Sequence, residues 1–566
     1  MNRIVRSHLA KFSEEHSLEA DSESVQFEKF TNFSILCSRV AGGFELDDVT
    51  TGDGDDGCDG IALIVNEELV ISDEDTKLIF EAERRNNDVE IVFIQAKRSE
   101  SFALGDILKF KESILRFINQ DPYEVVDDLQ KETRKAFDIV VDNVTKVRGG
   151  KPSLVTRYVT TGIYEYPDAL ETAKRDMISQ IESLGLFQHI DILFIGREEL
   201  IDNWVSSYSG VESALPMQAS ATLPHIAGVE ESYLVVAKAS DYVTNLLSSP
   251  DGTIRSQIFE ENVRHFLGTE NPVNTKIKET LGDVDGKTRF PVLNNGVTIV
   301  SPDVRVQGNT LHLNNYQIVN GCQTSHVLFE NRDGLTDDIT LTIKVVETAD
   351  EDVFSELVRA TNSQSKVEET QFLSLSPITK RVEAYFNTFD GQDSRLYFER
   401  RDRQYVGRGI PAIRIITLQN VAKCVASMFL RRPDLAYRYP KRMYETLGAT
   451  IFSDRNKESI FYAGALALYR FHLLASNRTI PQNTKRLKWH ILPVVAALIA
   501  GKNVPKISSR QIDLYANIIV EKMATYNEET VEIFRDAISK FGDYESITND
   551  RLKRQAVLEE ALAQIG

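Results

Sequence analysis

The sequence predicts a multidomain protein of mixed α/β (α+β) class, and three observations favour it. A chain of 566 residues exceeds what one hydrophobic core usually supports. Helix-like and strand-like patterns alternate over the first 205 residues, which is typical of a central sheet covered by helices. From about residue 415 onward the pattern is mostly helical. We therefore expect domains at residues 1–205, 206–415 and 416–566.

The elements of the first domain follow from the spacing of its apolar residues. Apolar side chains every three or four residues predict helices, and short continuous apolar runs predict buried strands. In chain order the sequence predicts a helix within 25–36, strands at 61–65 and 89–97, a helix at 103–119, a strand at 154–160, a helix at 168–184, a strand at 190–195 and a helix at 198–204. An acidic insertion between the first two strands is expected to be exposed.

The rest of the chain carries fewer strong signals. Strand-like runs lie at 297–300, 316–319 and 339–346, and the last helix is predicted at 551–565. The longest apolar run, 491–500, is about half the length that a bilayer-spanning helix needs. Acidic residues interrupt the N-terminal segment where a signal peptide would be apolar. We therefore expect a cytoplasmic protein without a membrane segment.

Charge and cysteine content narrow the function classes. The chain has 65 Lys and Arg against 84 Asp and Glu, a formal net charge of −19, so any nucleic-acid site must be local. The four cysteines share no spacing typical of a zinc site or a disulfide framework.

One segment reverses the charge balance. Residues 395–442 contain twelve basic residues against three acidic ones, with tyrosines and a phenylalanine between them. Such a segment can neutralise phosphates and stack on bases. Candidate nucleic-acid ligands are therefore Arg400, Arg401, Arg403 and Arg408. They would guide a nucleic acid toward the acidic site at Asp59. A solvated helix face, or an intramolecular partner for the acidic N-terminal half of the chain, explains the same composition equally well.

The chemically informative pair of segments is the strand 89–97 and the residue that precedes the strand 61–65. Side chains alternate along a strand, so Gln95 and Lys97 share one face of an otherwise apolar segment. Burying these polar groups without partners would be unfavourable. If the two strands are antiparallel neighbours, Asp59 and Gln95 can converge on one divalent cation while Lys97 faces an attacking water.

This set resembles the PD-(D/E)XK nuclease superfamily, which implies a restriction-endonuclease-like mixed sheet flanked by helices. The resemblance assigns Asp59, Gln95, Lys97 and Glu28 as catalytic, with Asp59 and Gln95 holding Mg²⁺ or Mn²⁺ for phosphodiester hydrolysis. Cys58 and Gln95 depart from the motif, and the missing acid lowers metal affinity unless Glu28 or Asp53 compensates. The alternative is a structural ion pair between Asp59 and Lys97, without metal.

Amide side chains cluster in three later segments, next to apolar runs. They are Asn294 and Asn295, Asn320 and Gln323, and Asn362 and Gln364. Turn chemistry explains any one of them. Together they predict a polar pocket, and the turn at 320–324 before a helix could hold a phosphate or a DNA backbone.

The segments 259–264, 294–296, 318–324 and 361–364 resemble, in order, the motifs of the abortive infection phage resistance (AIPR) family. The resemblance implies a central α/β AIPR domain and a role in bacterial defence against phage. Together with the nuclease-like residues, it leads us to expect a defence effector that hydrolyses DNA. A non-catalytic phage sensor and an RNase acting on host transcripts stay open as alternatives. The activity could be switched on by a phage-encoded trigger or by self-assembly into a homo-oligomer, and both stay open.

Overall fold

The computed structural model describes the chain except residues 41–43, 53–56, 82–85, 120–126, 209–210, 250–251, 253, 260–271, 363–372, 375, 402–403, 406–407, 438–439 and 566. Contacts divide the chain into two compact units. The first comprises Met1–Val5 and Thr31–Glu368, and the second comprises Arg6–Phe30 and Glu369–Gly566. The domain boundaries expected near residues 205 and 415 stay predictions.

The N-terminal part of the chain alternates helices and strands. Its elements are α1 (Arg3–His16), α2 (Glu23–Leu36), β1 (Gly60–Val65), β2 (Glu68–Val70), α3 (Asp73–Glu81), β3 (Val89–Lys97), α4 (Leu104–Ile118), α5 (Asp128–Asp142), β4 (Ser153–Thr160), α6 (Asp168–Ser183), β5 (His189–Ile195) and α7 (Arg197–Tyr208). The predicted strands and helices agree with these bounds to within a few residues. The acidic insertion expected to be exposed instead forms β2 and α3, because Ile79 and Phe80 of α3 are buried.

These strands form one mixed sheet in the order β2-β1-β3-β4-β5. β1 runs antiparallel to β3, with Gly60 opposite Ile94, so the expected pairing of the two strands is confirmed. β3, β4 and β5 are parallel, and their carboxyl ends lie at one edge of the sheet. All six residues of β1 are buried, because the strand lies inside the sheet.

The following segment of the first unit has two further sheets. Its elements are β6 (Glu212–Pro216), β7 (Ala219–Thr222), β8 (Glu231–Lys238), α8 (Ala239–Tyr242), α9 (Pro272–Gly282), α10 (Val284–Leu293), β9 (Val297–Ser301), β10 (Asp303–Gln307), β11 (Thr310–Asn314), β12 (Gln317–Asn320), α11 (Cys322–Glu330), β13 (Thr340–Glu347) and α12 (Glu351–Asn362). One sheet has the order β12-β9-β13-β8-β7 and the other β10-β11-β6. Together with the first sheet, they make this an α/β protein with several small sheets.

The second unit is mainly helical, as the sequence predicts. From residue 377 on, its elements are α13 (Pro377–Phe386), β14 (Tyr397–Glu399), β15 (Ile415–Thr417), α14 (Leu418–Met428), α15 (Pro433–Tyr437), α16 (Pro440–Ile451), α17 (Glu458–Ser476), α18 (Lys488–Ala500), α19 (Arg510–Met523), α20 (Glu528–Ser539), α21 (Asn549–Leu552) and α22 (Ala556–Ala563). The last predicted helix is thus two short ones. Among the described residues, no helix combines the length and apolar character that crossing a bilayer requires.

Candidate functional site

Asp59 and Gln95 meet where β1 begins, beside the end of β3. The backbone N–H of Asp59 donates to the carbonyl of Ile94 at 2.8 Å, which continues the antiparallel ladder by one residue. The carboxylate oxygen Oδ2 of Asp59 accepts the Gln95 Nε2–H, and also the backbone N–H of Ala96 at 2.8 Å. The structure therefore brings the predicted carboxylate and amide into direct contact.

The other end of the Gln95 amide is the unusual feature. Gln95 is 1% exposed, and its Oε1 has no hydrogen-bond donor among the described residues. A buried carbonyl without a donor is unfavourable by about 1–3 kcal/mol. Amide oxygens are hard ligands of the kind that Mg²⁺ and Ca²⁺ bind. As placed, the amide turns its Nε2–H rather than this oxygen toward Asp59, so a cation that bound both the carboxylate and Oε1 would require the Gln95 amide to rotate.

The backbone around Asp59 is held closely. Asn32 Nδ2 donates to the Asp59 carbonyl at 2.9 Å and to Thr50 Oγ1 at 3.1 Å. A Cβ on Gly60 would lie 2.2 Å from the Asn32 side-chain oxygen, so only glycine fits at that position. The position of the carboxylate is therefore fixed by local packing before any ligand binds.

The remaining predicted catalytic residues are placed less directly. Lys97 is the last residue of β3, lies on the Gln95 face and is half-buried. Glu28 lies on α2, in a part of that helix assigned to the other compact unit, and its Oε1 accepts the Ser24 hydroxyl at 3.1 Å. Asp53 lies outside the described residues. The proposed compensation for the missing acid by Glu28 or Asp53 stays a prediction.

Two residues near the site were missed by the sequence reading. Tyr158 of β4 is the register partner of Gln95 and is buried. Burial raises the pKa of Tyr158, and the negative charges of Asp106 and Asp59 raise it further. Both carboxylates are thus within electrostatic reach of one hydroxyl. Only the parallel pairing of β3 with β4 reveals this, and the sequence gives no signal for the position of Asp106.

The amides of the later segments are tied into turn and helix-end contacts. Asn294 Oδ1 accepts the Gly296 backbone N–H at 2.9 Å, and Asn294 Nδ2 donates to Thr324 Oγ1 at 3.2 Å. Asn320 Nδ2 donates to the Thr361 carbonyl at 3.4 Å. These bonds join the two Asn-Gly turns to their neighbours.

The other members of the predicted pocket are less informative. Gln323 accepts an N–H from the buried Asn274 at 2.8 Å, whereas Asn295 is exposed. The Asn362 side chain and all of Gln364 lie outside the described residues. The polar pocket and its phosphate ligand stay predictions.

Comparison with known proteins decides the family. The model of the family described as AIPR protein matches residues 259–554, more than half of the chain. The chain belongs to the AIPR family. No curated protein and no solved structure gives a significant match. Membership of AIPR suggests a role in abortive infection and anti-phage defence, and the matched region contains the amide motifs but not Asp59, Gln95 or Lys97.

The basic segment lies within the AIPR match, and part of its charge is used internally. Arg400 is buried; its Nε donates to Glu383 Oε2 at 2.9 Å and a terminal N–H to the Ser374 carbonyl at 2.6 Å. Arg414 donates to two backbone carbonyls, and Arg432 forms a two-bond ion pair with Asp434. The partners of these residues lie in the C-terminal half of the chain, so for them the structure does not show the expected pairing with the acidic N-terminal half.

The remaining predicted nucleic-acid ligands differ from Arg400. Arg401 is half-buried, and its backbone N–H donates to Gln404 Oε1 at 3.2 Å. Arg408 is exposed and stacks on the Tyr405 ring, 5.5 Å from the ring centroid. Arg403 lies outside the described residues. Of the three described members of the predicted set, Arg408 is the one that a phosphate could reach without a change in packing.

Proposed function

We propose that this AIPR protein is a divalent-metal-dependent nuclease of anti-phage defence, with DNA as its substrate. The observation that supports it most is the contact between Asp59 and Gln95, together with the buried Gln95 Oε1 that has no donor among the described residues. Further support comes from the placement of Lys97 on the same strand face, two residues beyond Gln95.

The Asp59 carboxylate and the Gln95 amide oxygen are ligands of the kind that Mg²⁺ or Mn²⁺ binds. One carboxylate and one neutral amide bring less negative charge than two acids, so the site needs help from other groups. No group of three His, Cys, Asp or Glu side chains suited to a metal occurs in the part of the chain that the structure describes. Water and phosphate oxygens would therefore complete the coordination shell.

Asp59 and Lys97 have distinct roles in this proposal. A bound divalent cation would polarise the scissile phosphate and acidify a water. Asp59 holds its carboxylate in place through the N–H groups of Ala96 and Gln95. Lys97 would orient the attacking water, and its positive charge would offset the charge that develops on the phosphate in the transition state.

One observation favours a second candidate, a non-catalytic sensor that keeps this fold as a scaffold. Asp59 Oδ2 already accepts two N–H groups, which is also how a structural carboxylate stabilises a strand end. In that case the Gln95 amide serves only to donate a hydrogen bond to the Asp59 carboxylate, and Lys97 takes no part in catalysis.

Degradation of plasmid and phage DNA separates the two candidates. Wild type is compared with Lys97→Ala in Mg²⁺, Mn²⁺ and EDTA, and Lys344→Ala is the control because Lys344 is an exposed strand lysine of another sheet. The proposal predicts metal-dependent cleavage that falls by about 10²- to 10⁴-fold in Lys97→Ala alone. Equal cleavage by all three proteins contradicts the role of Lys97. Cleavage of RNA but not DNA would make the protein an RNase.

A further inference from the structure

An exposed tyrosine stands in a strained backbone conformation at the edge of the sheet that carries the candidate site. Tyr166 has a φ of +54°, in the left-handed region that bulky residues rarely adopt, and its side chain is 69% exposed. Such strain, of order 1–3 kcal/mol, tends to persist where the conformation serves a function. Exposing a large ring also forgoes its burial. Neither feature helps the fold.

Tyr166 belongs to a row of aromatic rings that leads to the candidate site. Its ring centroid lies 4.9 Å from that of Tyr164, which lies 4.8 Å from Phe102, which in turn lies 6.1 Å from Tyr158. Tyr158 is the register partner of Gln95 on the neighbouring strand. The row therefore runs from an exposed ring to the strand position beside the proposed metal ligand.

The row is rigid because the two loops that carry it are bonded to each other. The N–H of Thr161 donates to the Ser99 carbonyl at 3.0 Å, and the Thr161 hydroxyl donates to the Arg98 carbonyl at 3.0 Å. A Cβ on Gly162 would lie 1.8 Å from the Glu100 carbonyl oxygen, so the loops pass each other as closely as glycine allows.

The Tyr164 ring is held in the same way. Its hydroxyl donates to Glu171 Oε1 at 2.6 Å. Burial raises the pKa of Tyr164, and the bond to Glu171 raises it further, so the hydroxyl stays protonated and keeps donating. The Tyr164 ring, on which Tyr166 packs, is thus held before a ligand arrives, which lowers the entropy lost on binding.

We propose that Tyr166, supported by Tyr164 and Phe102, is a stacking platform for an unpaired base of a single-stranded nucleic acid. The location fits, because ligands of open α/β sheets bind outside the carboxyl ends of the strands, where Lys97 and Thr160 end β3 and β4. This proposal extends the proposed function. It rests on that function in one respect, which is that the nucleic acid stacked on Tyr166 also presents a phosphate to Lys97.

The charges around Tyr166 favour contact through a base rather than through the backbone. Glu165 and Asp168 lie one and two residues from Tyr166 in the sequence and are exposed, so they disfavour a phosphate at this loop. An aromatic face does not depend on charge for its attraction to a base, and stacking contributes about 1–3 kcal/mol per base. A paired base in a duplex cannot offer its face, so the platform selects single strands.

Fluorescence anisotropy with labelled oligo(dT) and oligo(rU) tests the proposal on the full chain, in EDTA and again with Ca²⁺ in place of Mg²⁺. Tyr166→Ala should weaken binding by about 5- to 100-fold, the equivalent of one stacked base. Tyr166→Phe keeps the ring and should bind like wild type. Tyr526→Ala, at an exposed tyrosine of the helical region, is the matched control. Because Tyr166 is exposed, unchanged thermal unfolding of Tyr166→Ala excludes misfolding as the cause.

Several outcomes overturn the platform. These are no binding of either oligonucleotide in either buffer, equal affinity of wild type and Tyr166→Ala, or an equally large loss of affinity for a labelled DNA duplex of the same length. The two sugars show whether the base comes from DNA or RNA. The loss should also be nearly independent of salt, because the contact is not ionic. If oligonucleotides bind through Tyr166 but no cleavage occurs in Mg²⁺, the nuclease proposal fails and the platform stands.

Discussion

Replacing Gln95 by glutamate would test the site through stability rather than activity. The Gln95 Nε2–H now donates to Asp59 Oδ2, and a glutamate would place a carboxylate oxygen there instead. Loss of a hydrogen bond to a charged acceptor costs about 1.5–3 kcal/mol. Two carboxylates about 4 Å apart add a repulsion of about 4 kcal/mol at an effective dielectric constant near 20. Without metal, Gln95→Glu should therefore destabilise the first unit by roughly 5.5–7 kcal/mol at neutral pH.

The sign of the pH dependence follows from the same contact. Repulsion from Asp59 raises the pKa of the introduced carboxyl group in the folded state above its value in the unfolded state. The folded variant then binds more protons than the unfolded variant, so the penalty is present above the raised pKa and fades as the pH falls. Gln95→Leu loses the same hydrogen bond without adding charge, so its deficit should change little with pH.

Divalent metal should narrow the stability gap between the two variants. In the proposed site the introduced carboxylate becomes a second anionic ligand, and a cation at a hundredfold excess over its Kd stabilises the fold by about 2.7 kcal/mol. Calorimetry of wild type, Gln95→Glu and Gln95→Leu in EDTA and in Mg²⁺ measures this. A melting shift that is no larger for Gln95→Glu than for Gln95→Leu would refute a cation site between Asp59 and Gln95.

Three further predictions concern stability outside this pair. Arg400→Ala leaves Glu383 without its buried partner and should lower the free energy of unfolding of the second unit by about 3–5 kcal/mol, seen as an earlier calorimetric transition. Gly321→Ala places a Cβ at a φ of +99° and should cost about 2 kcal/mol or more, whereas Gly334→Ala, with nothing within 4 Å, should be nearly neutral in the same urea titration. Burial, with the charge of a nearby arginine, lowers the pKa of His326 to about 3, so wild-type stability should decline as the pH falls below 6.5, and His326→Phe should flatten that decline in melts across the range.

Much of the first sheet follows from residue patterns alone. β3 occupies the predicted residues 89–97, because its run is apolar on both faces and ends at a polar pair. The contact between Asp59 and Gln95 was predictable from a period of two and antiparallel pairing. By contrast, β7, Ala219–Thr222, is short and exposed and has only alanines as apolar residues, and its pairing with β8 makes it a strand.

Side-chain partners far apart in sequence were not predictable. Within a basic segment, Arg400 is predicted to bind phosphate. Only the fold places Glu383 next to it as an ion-pair partner. Tyr158 and Asp106 look like ordinary strand and helix residues until the sheet places Tyr158 beside Gln95. Local patterns fix element type, whereas these contacts depend on tertiary packing.

The most direct test of the account is a crystal of the full chain soaked in Mn²⁺, with anomalous diffraction recorded. A peak within bonding distance of an Asp59 carboxylate oxygen and Gln95 Oε1, lost in Asp59→Ala, is the predicted result. Well-ordered density for both side chains, with no peak between them at saturating Mn²⁺, would contradict the account.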